Sequence, residues 1–407
     1  MVQPVAQNAR FGLRSLAVSV QLDTVRTVEV PTRIVHGLGS LGRLAELTEQ
    51  LDVKRPLLVT DRGVEAVGLA AGALEELPDA VVFADVFPNP DIELIARATS
   101  VYRDEGCTGL VALGGGSSMD TAKAVGVEVS HGGSIRDYEY GHAPITRRIP
   151  PLVAIPTTAG TGSEVTLWAV ITDHDRKLKF NVGGTPLIGA HIALLDPELT
   201  LGLPPAVTAA TGLDALSHGV ECFTCDYNQF FNDAVALHAI ELVGRWLRIA
   251  VEDGSNLEAR THMAHAALLG GMAYGTESAG AAHAMSQSAG GVHDCPHGAL
   301  TARVLGAVME YNVQAKPERH ARIAQALGVD TGGMEPLEAA LAGVEALDRL
   351  TDDVGIPTMT DLGFSEDEIP MLAQIAYEDP QTVGNAREIE VAGYEELYRT
   401  AFARGKP

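Results

Sequence analysis

The stretch Thr108-Gly109-Leu110-Val111-Ala112-Leu113-Gly114-Gly115-Gly116-Ser117-Ser118 decides the fold of this chain. Its first six residues are almost continuously apolar, which is typical of a strand buried on both faces of a parallel sheet. Three glycines follow, and the segment Met119–Val127 then has a helical pattern. A strand that leads through a glycine turn into a helix presents free backbone N–H groups at the helix start, where they can bind the phosphates of a ligand.

The same alternation of apolar runs and helical segments surrounds this stretch and indicates βαβ units. The helical spacing of apolar residues recurs between the runs, as expected when helices cover both faces of a parallel sheet. We predict strands at Arg55–Thr60, Ala80–Val86, Leu152–Ile155 and Val165–Thr172, and helices near Val64–Leu77 and Ile92–Glu105.

The pattern changes at Leu203-Pro204-Pro205, beyond which long Ala- and Leu-rich helical segments replace the strands. The predicted helices are Ala206–Cys225, Phe231–Glu252, Leu257–Tyr274 and Gly298–Val313. We therefore expect an α/β N-terminal dinucleotide-binding domain with a parallel sheet over residues 1–204, of which residues 1–27 form an N-terminal extension. An all-α C-terminal domain over residues 205–407 follows it.

Composition excludes several classes of partner. The chain has 407 residues and a net charge of -24, from 29 Lys+Arg against 53 Asp+Glu, so its surface repels nucleic acids and anionic membranes. No apolar run is long enough to span a bilayer. The four cysteines are too few for a disulfide framework, and we interpret them as small core residues. The default location is the cytoplasm.

Polar side chains in the second half form a candidate metal site. Asp214 and His218 are four residues apart on a predicted helix and so share one face, and His283 and His297 follow later. One carboxylate and three imidazoles are a plausible ligand set for Fe²⁺ or Zn²⁺. Taken singly, each histidine is more typical of an ordinary core or surface position.

Two acidic residues near the glycine turn allow more than one interpretation. Asp61 directly follows a predicted strand, where a carboxylate either accepts hydrogen bonds from a ribose or caps the next helix. Asp120 lies near the start of the helix that follows the glycines, where it would repel an anion unless it contacts another group.

Five blocks of sequence, in this order and spacing, resemble the iron-containing (group III) alcohol dehydrogenase family. The resemblance covers nearly the whole chain from about Val28, and it implies the architecture shared with dehydroquinate synthase. The blocks are Gly114-Gly115-Gly116-Ser117-Ser118-Met119-Asp120-Thr121-Ala122-Lys123, Ile155-Pro156-Thr157-Thr158-Ala159-Gly160-Thr161-Gly162-Ser163-Glu164-Val165-Thr166, Asp214-Ala215-Leu216-Ser217-His218, His283-Ala284-Met285 and Pro296-His297-Gly298.

The resemblance implies roles for individual residues. The metal ligands would be Asp214, His218, His283 and His297, with Fe²⁺ favoured and Zn²⁺ as the second choice. The acidic Asp61 would select NAD over NADP. The implied cofactor contacts are Asp61, Asn89, Gly115, Gly116, Ser117, Ser118, Asp120, Thr157, Thr158, Thr166 and Lys179.

One position departs from the family pattern. Many members carry a second histidine four residues after the third ligand, and this chain has Gln287 there. An amide cannot take a proton at neutral pH as an imidazole can. His293 is a candidate substitute for this catalytic role, and the competing interpretation is a solvated loop histidine.

We therefore expect an NAD(H)-linked, metal-dependent oxidoreductase that interconverts a small primary alcohol with its aldehyde or semialdehyde. The resemblance further implies a homo-oligomer, a dimer or larger. The alternatives are a lyase of the dehydroquinate synthase type, which would need Lys or Arg near the metal for a sugar phosphate, and a weakly catalytic protein that binds dinucleotide and metal.

Overall fold

The computed structural model describes residues 27–225, 230–275, 280–293 and 295–405. Nearly all of the predicted N-terminal extension lies outside these residues. The strands of the described part are β1 (Arg33–His36), β2 (Pro56–Asp61), β3 (Val81–Val86), β4 (Gly109–Gly114), β5 (Leu152–Pro156), β6 (Trp168–Asp173), β7 (Leu178–Gly183) and β8 (Ile192–Leu195).

Six of the described strands form one parallel sheet in the order β1-β8-β5-β4-β2-β3. In its centre Leu58 of β2 pairs with Val111 of β4, which pairs with Val153 of β5. Strands β6 and β7 instead form a separate antiparallel ribbon. The strand predicted from Val165 begins only at Trp168, because the backbone turns back at residue 165, whose N–H donates to the carbonyl of Gly162.

Both faces of the parallel sheet are buried, as the apolar runs predict. Leu57 and Leu110 pack into one apolar core, while Leu58 and Val111, the next residue of each strand, pack into a second core on the other face. All four side chains are at most 1% exposed. Each central strand therefore contributes to two hydrophobic layers, which explains its almost continuous run of apolar residues.

Helices flank the sheet and make up most of the second half. The predicted helix Val64–Leu77 is two helices, because Gly68 takes a left-handed conformation with φ of 84° and interrupts it. The described helices are α1 (Leu44–Gln50), α2 (Arg62–Ala66), α3 (Leu69–Glu76), α4 (Ile92–Asp104), α5 (Gly116–His131), α6 (Pro205–Thr224), α7 (Phe230–Glu252), α8 (Leu257–Tyr274), α9 (Ala281–Val292), α10 (His297–Asn312), α11 (Pro317–Ala326), α12 (Pro336–Asp353), α13 (Ile369–Glu378) and α14 (Val391–Ala403).

The second half is helical throughout its described residues and has its own apolar core. The predicted fold class, a parallel α/β half followed by an all-helical half, is therefore confirmed. Helix α6 begins at Pro205, the first residue of the predicted second domain, and the exact boundary stays a prediction. Among the described helices, none combines the length and apolarity required to cross a membrane.

A crevice forms where the carboxyl ends of the central strands face the helical half. Strand β3 lies on one side of β2 and β4 lies on the other side. The direction in which successive strands are added to the sheet therefore reverses between β2 and β4. Ligands of open α/β sheets bind at such a reversal. Across the crevice, Gly162 after β5 lies directly against Gly271 of α8: a Cβ built on Gly162 would be 2.6 Å from the Gly271 Cα.

Candidate metal centre and dinucleotide cleft

Three predicted metal ligands converge at the helical wall of the crevice. Asp214 lies on α6, His283 in the first turn of α9 and His297 at the start of α10. The Nε2 atoms of His283 and His297 lie 3.9 Å and 3.7 Å from Asp214 Oδ1. One ligand atom from each residue lies within 4.8 Å of the other two. A single ion can therefore contact all three side chains after small shifts.

Unsatisfied polar atoms at this cluster fit a divalent cation. Asp214 Oδ1, His283 Nε2 and His218 Nδ1 are buried and have no hydrogen-bond partner among the described residues. Orphaned buried groups are costly, and a bound cation would satisfy them together. Burial raises the pKa of Asp214 to about 6 and lowers the pKa of His218 well below its usual value, so His218 is in the neutral form that a metal requires.

His218 lies beside the cluster rather than within it. Its ring stacks on that of His283 with a centroid distance of 4.7 Å and an interplanar angle of 20°. Both rings line a cavity of about 150 Å³ between the two halves. The structure thus brings three of the four predicted ligands together and leaves the fourth in contact with one of them.

The glycine turn forms the opposite wall. Strand β4 ends at Gly114, and α5 starts at Gly116, so the first-turn N–H groups and the positive end of the helix dipole lie at the crevice. A Cβ on Gly116 would lie 2.9 Å from Thr161 Cγ2, so the glycine turn and the loop after β5 are in close contact. Gly116 and Ser117 line the cavity, and the buried Ser118 Oγ has no partner among the described residues.

The remaining residues predicted around the glycine turn are close to it. Asp61 Oδ1 caps α2 by accepting the Val64 N–H at 3.0 Å, while its Oδ2 lies beside the turn, 3.4 Å from a Cβ built on Gly114. The capping interpretation therefore holds, and it leaves one carboxylate oxygen towards the crevice. Thr157 N–H donates to the Gly114 carbonyl, and Thr158 is next to Gly115.

A second group of predicted cofactor residues lines the cavity itself. Lys179 Nζ donates to Asn89 Oδ1 at 2.8 Å, so these two candidates act as a pair. Thr166 lines the cavity and accepts from Lys123 Nζ through its hydroxyl. Asp120 also lines it, but its carboxylate accepts from Ser163 Oγ at 2.7 Å and from a backbone N–H. Asp120 thus has the contacts with other groups that its position near the helix start requires.

The two candidates for the catalytic position have different surroundings. Gln287 lines the cavity, where its Oε1 accepts from Gln381 Nε2 at 2.9 Å and its Nε2 faces Asn181 Oδ1 at 3.4 Å. His293 is outside the residues that line the cavity. It directly follows the last residue of α9, its side chain is partly exposed, and its Nε2 lies 2.7 Å from Glu368 Oε1.

Sequence reasoning missed three residues at this site. Glu221 contacts His283, and Tyr274 lines the cavity with its hydroxyl donating to Gln381 Oε1 at 2.7 Å. Glu221 had a usable signal, since it lies seven residues after Asp214 on the same helical face. Nothing local marks Tyr274 or Gln381, which are brought to the site by long-range packing.

The chain matches known proteins along almost its whole length. A family model described as "Iron-containing alcohol dehydrogenase" matches residues 31–197, and one described as "Fe-containing alcohol dehydrogenase family, C-terminal" matches residues 208–402. The choline dehydrogenase of Bacillus subtilis (strain 168) is 50% identical over 382 residues, which cover 92% of this chain and 95% of that protein.

Similarity extends to other relatives and to solved structures. The 1,3-propanediol dehydrogenase of Citrobacter freundii is 39% identical over 380 residues, covering 92% of this chain and 98% of that protein. A crystal structure of a 1,3-propanediol oxidoreductase superimposes with a TM-score of 0.89 at 37% identity, covering 93% of this chain and 100% of that one.

Proposed function

The chain belongs to the iron-containing alcohol dehydrogenase family, and from that premise we propose that its substrate is a small primary alcohol with a fixed positive charge, of the choline type. It is an NAD(H)-linked, metal-dependent oxidoreductase that acts on a CH–OH group. The choline dehydrogenase relative, 50% identical over nearly both full lengths, is the observation that carries the choice of substrate class.

The helical wall of the crevice would hold the metal, and the wall formed by the glycine turn would hold the dinucleotide. When bound, the metal supplies a Lewis acid for the substrate oxygen and the nicotinamide accepts or supplies the hydride. Asp214, His283 and His297, with His218 beside them, would hold the metal. The α5 start would hold the pyrophosphate, with Asp61 and the Asn89–Lys179 pair as further cofactor contacts. Since Gln287 does not ionise, we assign the departure of the alcohol proton to water in the cleft.

The cavity wall around Gln287 supports a cationic alcohol. Gln287 and Gln381 present neutral amides where an imidazole would add positive charge on protonation. The Tyr274 ring lines the same cavity, and its hydroxyl is held by Gln381. An aromatic face attracts a quaternary ammonium group by about 0.5–2 kcal/mol. Two neutral amides beside an aromatic ring are therefore compatible with a trimethylammonium group, while the ammonium of Lys179 in the same cavity donates to Asn89.

The lyase alternative is poorly supported by the cavity. Among the described residues that line it, Lys179 is the single Lys or Arg side chain, and its ammonium donates to Asn89. A sugar phosphate requires several fixed cationic donors, of which Arg is the most effective. We retain the oxidoreductase assignment.

The experiment follows NADH absorbance after Fe²⁺ or Zn²⁺ has been restored to the purified protein. Choline is compared with its neutral carbon analogue, in which a tert-butyl group replaces the trimethylammonium, and with 1,3-propanediol. We expect kcat/KM for choline to exceed that of the analogue by about tenfold, given the magnitude of the cation–π attraction and the neutral amides. Equal values for the two, or turnover of the diol alone, would reject the cationic substrate. No turnover of any alcohol would favour the weakly catalytic alternative.

Two further expectations complete the proposal. We propose a homo-oligomer, supported by the edge position of β1 in the parallel sheet and by exposed apolar side chains nearby, Val28, Val30 and Leu38. The net charge of -24 supports the prediction that nucleic acid is not a partner, and a cytoplasmic location stays a prediction. Light scattering coupled to size-exclusion chromatography tests the oligomer; a monomer at micromolar concentration would reject it.

A further inference from the structure

Glu221 is a buried carboxylate that none of the predicted roles uses. It lies on α6 with Asp214 and His218, and the spacing of four and then three residues places all three on one helical face. The side chain is 4% exposed and faces His283 on α9. We propose that Glu221 is a positioning residue that fixes the tautomer and ring orientation of His283 for metal binding.

The hydrogen bonds of Glu221 define the tautomer. Its Oε1 accepts the backbone N–H of Ala282 at 2.7 Å, and its Oε2 is in short contact with His283 Nδ1. An ionised carboxylate only accepts, so the imidazole proton lies on Nδ1 and points to Glu221. In the neutral ring Nε2 then has the lone pair; this atom lies 3.9 Å from Asp214 Oδ1 and has no hydrogen-bond partner among the described residues. This is the tautomer that a metal requires.

The start of α9 is built to accept this carboxylate. Gly280 precedes the helix, and a Cβ there would lie 2.9 Å from Glu221 Oε1. Glycine at this position therefore leaves the space that the carboxylate occupies. The positive end of the α9 dipole, in the turn that contains His283, also stabilises the negative charge of Glu221. One side chain thus caps a helix and orients a ligand on it.

A glutamine cannot replace this glutamate although it has the same shape. The backbone N–H groups of Ala282 and His283 share Oε1, and Nδ1 of His283 uses Oε2, so two acceptor atoms are needed. An amide offers one oxygen and one NH₂ group. With the amide oxygen towards Ala282, its NH₂ faces Nδ1, and the imidazole proton moves to Nε2, where it blocks the metal. With the opposite orientation, the Ala282 N–H is left opposite a donor. Either arrangement weakens the metal site.

The test compares Glu221→Gln with a matched control, Glu128→Gln. Glu128 is also buried, but its Oε1 accepts a single backbone N–H, that of Ile135 at 2.8 Å, which a glutamine oxygen can also do. Both metal-free proteins are titrated with Co²⁺ against a chelator of known affinity. We expect Glu221→Gln to bind Co²⁺ about 10–100-fold more weakly and to show an altered Co²⁺ absorption spectrum. NAD affinity should match the control, and the metal-free variant should still unfold cooperatively.

A second variant, Gly280→Ala, keeps every charge and moves only the carboxylate. Its Cβ would displace Glu221 Oε1, and we expect Co²⁺ affinity to fall several-fold. Wild-type affinity in either variant, or an equal loss in Glu128→Gln, would overturn the positioning role. The inference rests on the metal site of the proposed function, and the experiment distinguishes the two. A wild-type protein that binds no Co²⁺ refutes the metal site itself, whereas variants that bind Co²⁺ like the wild type refute only the role of Glu221.

Discussion

Replacing Gly298 by alanine should weaken metal binding although no predicted ligand is replaced. Gly298 follows His297 in the first turn of α10, where that helix crosses α6. A Cβ there would lie 2.3 Å from the carbonyl oxygen of Ala210 and 3.2 Å from the Cβ of Asp214. Since close carbon–oxygen contacts in proteins are about 3.3 Å, the start of α10 must retreat from α6 by about 1 Å.

A shift of the α10 start changes the distance between two predicted metal ligands. His297 Nε2 lies 3.7 Å from Asp214 Oδ1, and a metal between them tolerates errors of only about 0.2 Å in each ligand distance. We expect metal affinity to fall on the order of 100-fold, which corresponds to about 2.7 kcal/mol. The unfolding free energy should fall by about 1–3 kcal/mol, the usual cost of overpacking.

Chelator competition on the purified variant measures the metal affinity, and denaturant unfolding of the metal-free protein measures the stability. The control is Gly202→Ala, at a position where a Cβ would meet no atom within 4 Å. A Gly298→Ala protein with metal affinity within threefold of the control would refute the reasoning, since His297 would then not depend on the contact between α10 and α6.

Three other predictions concern the cofactor half and His293, the second candidate for the catalytic position. Lys123 is fully buried and donates to Ser163 and Trp168, among others, so Lys123→Met should cost about 2–4 kcal/mol at pH 7 in urea unfolding. Burial lowers the pKa of Lys123 from 10.5 to about 8, so the native protein binds fewer protons than the unfolded chain between these values. The stability difference between the wild type and Lys123→Met should therefore change between pH 8 and 10.5, with the wild type gaining relative to the variant as the pH rises, and a difference that stays constant with pH would contradict this. Asp61→Ser keeps the α2 cap and removes the carboxylate, so the preference for NAD over NADP in kcat/KM should fall at least tenfold; an unchanged ratio would leave Asp61 a cap only. His293→Ala should change kcat less than twofold in steady-state kinetics at several pH values, because its side chain contacts Glu368; a larger loss would support a catalytic role for His293.

The parts of the site that the sequence predicts are those that depend on local patterns. The β4 strand, its glycine turn and the α5 start follow one another directly, and helical spacing alone places Asp214 and His218 on one face. Strands β1 and β8 have only four residues each and carry too little pattern to be predicted. The break at Gly68 was visible as a glycine inside a helical pattern, although glycine is also tolerated within helices.

Contacts across long separations could not be predicted in the same way. Gln381 reaches Gln287 over 94 residues, and Tyr274 reaches Gln381 over 107. These pairings depend on how α8, α9 and the segment after α13 pack, and no spacing rule encodes that packing. The contact between His293 and Glu368 could not be predicted either, because it depends on where α9 ends.

The contact of Gly162 with Gly271 has a consequence for building chimeric enzymes from members of this family. At this crossing the two halves meet through main-chain atoms, so that no side chain can be trimmed to relieve a mismatch. A chimera that joins the cofactor half of one relative to the helices of another requires glycine at both positions. A single methyl group at either one would act as a wedge and separate the hydride donor from the metal.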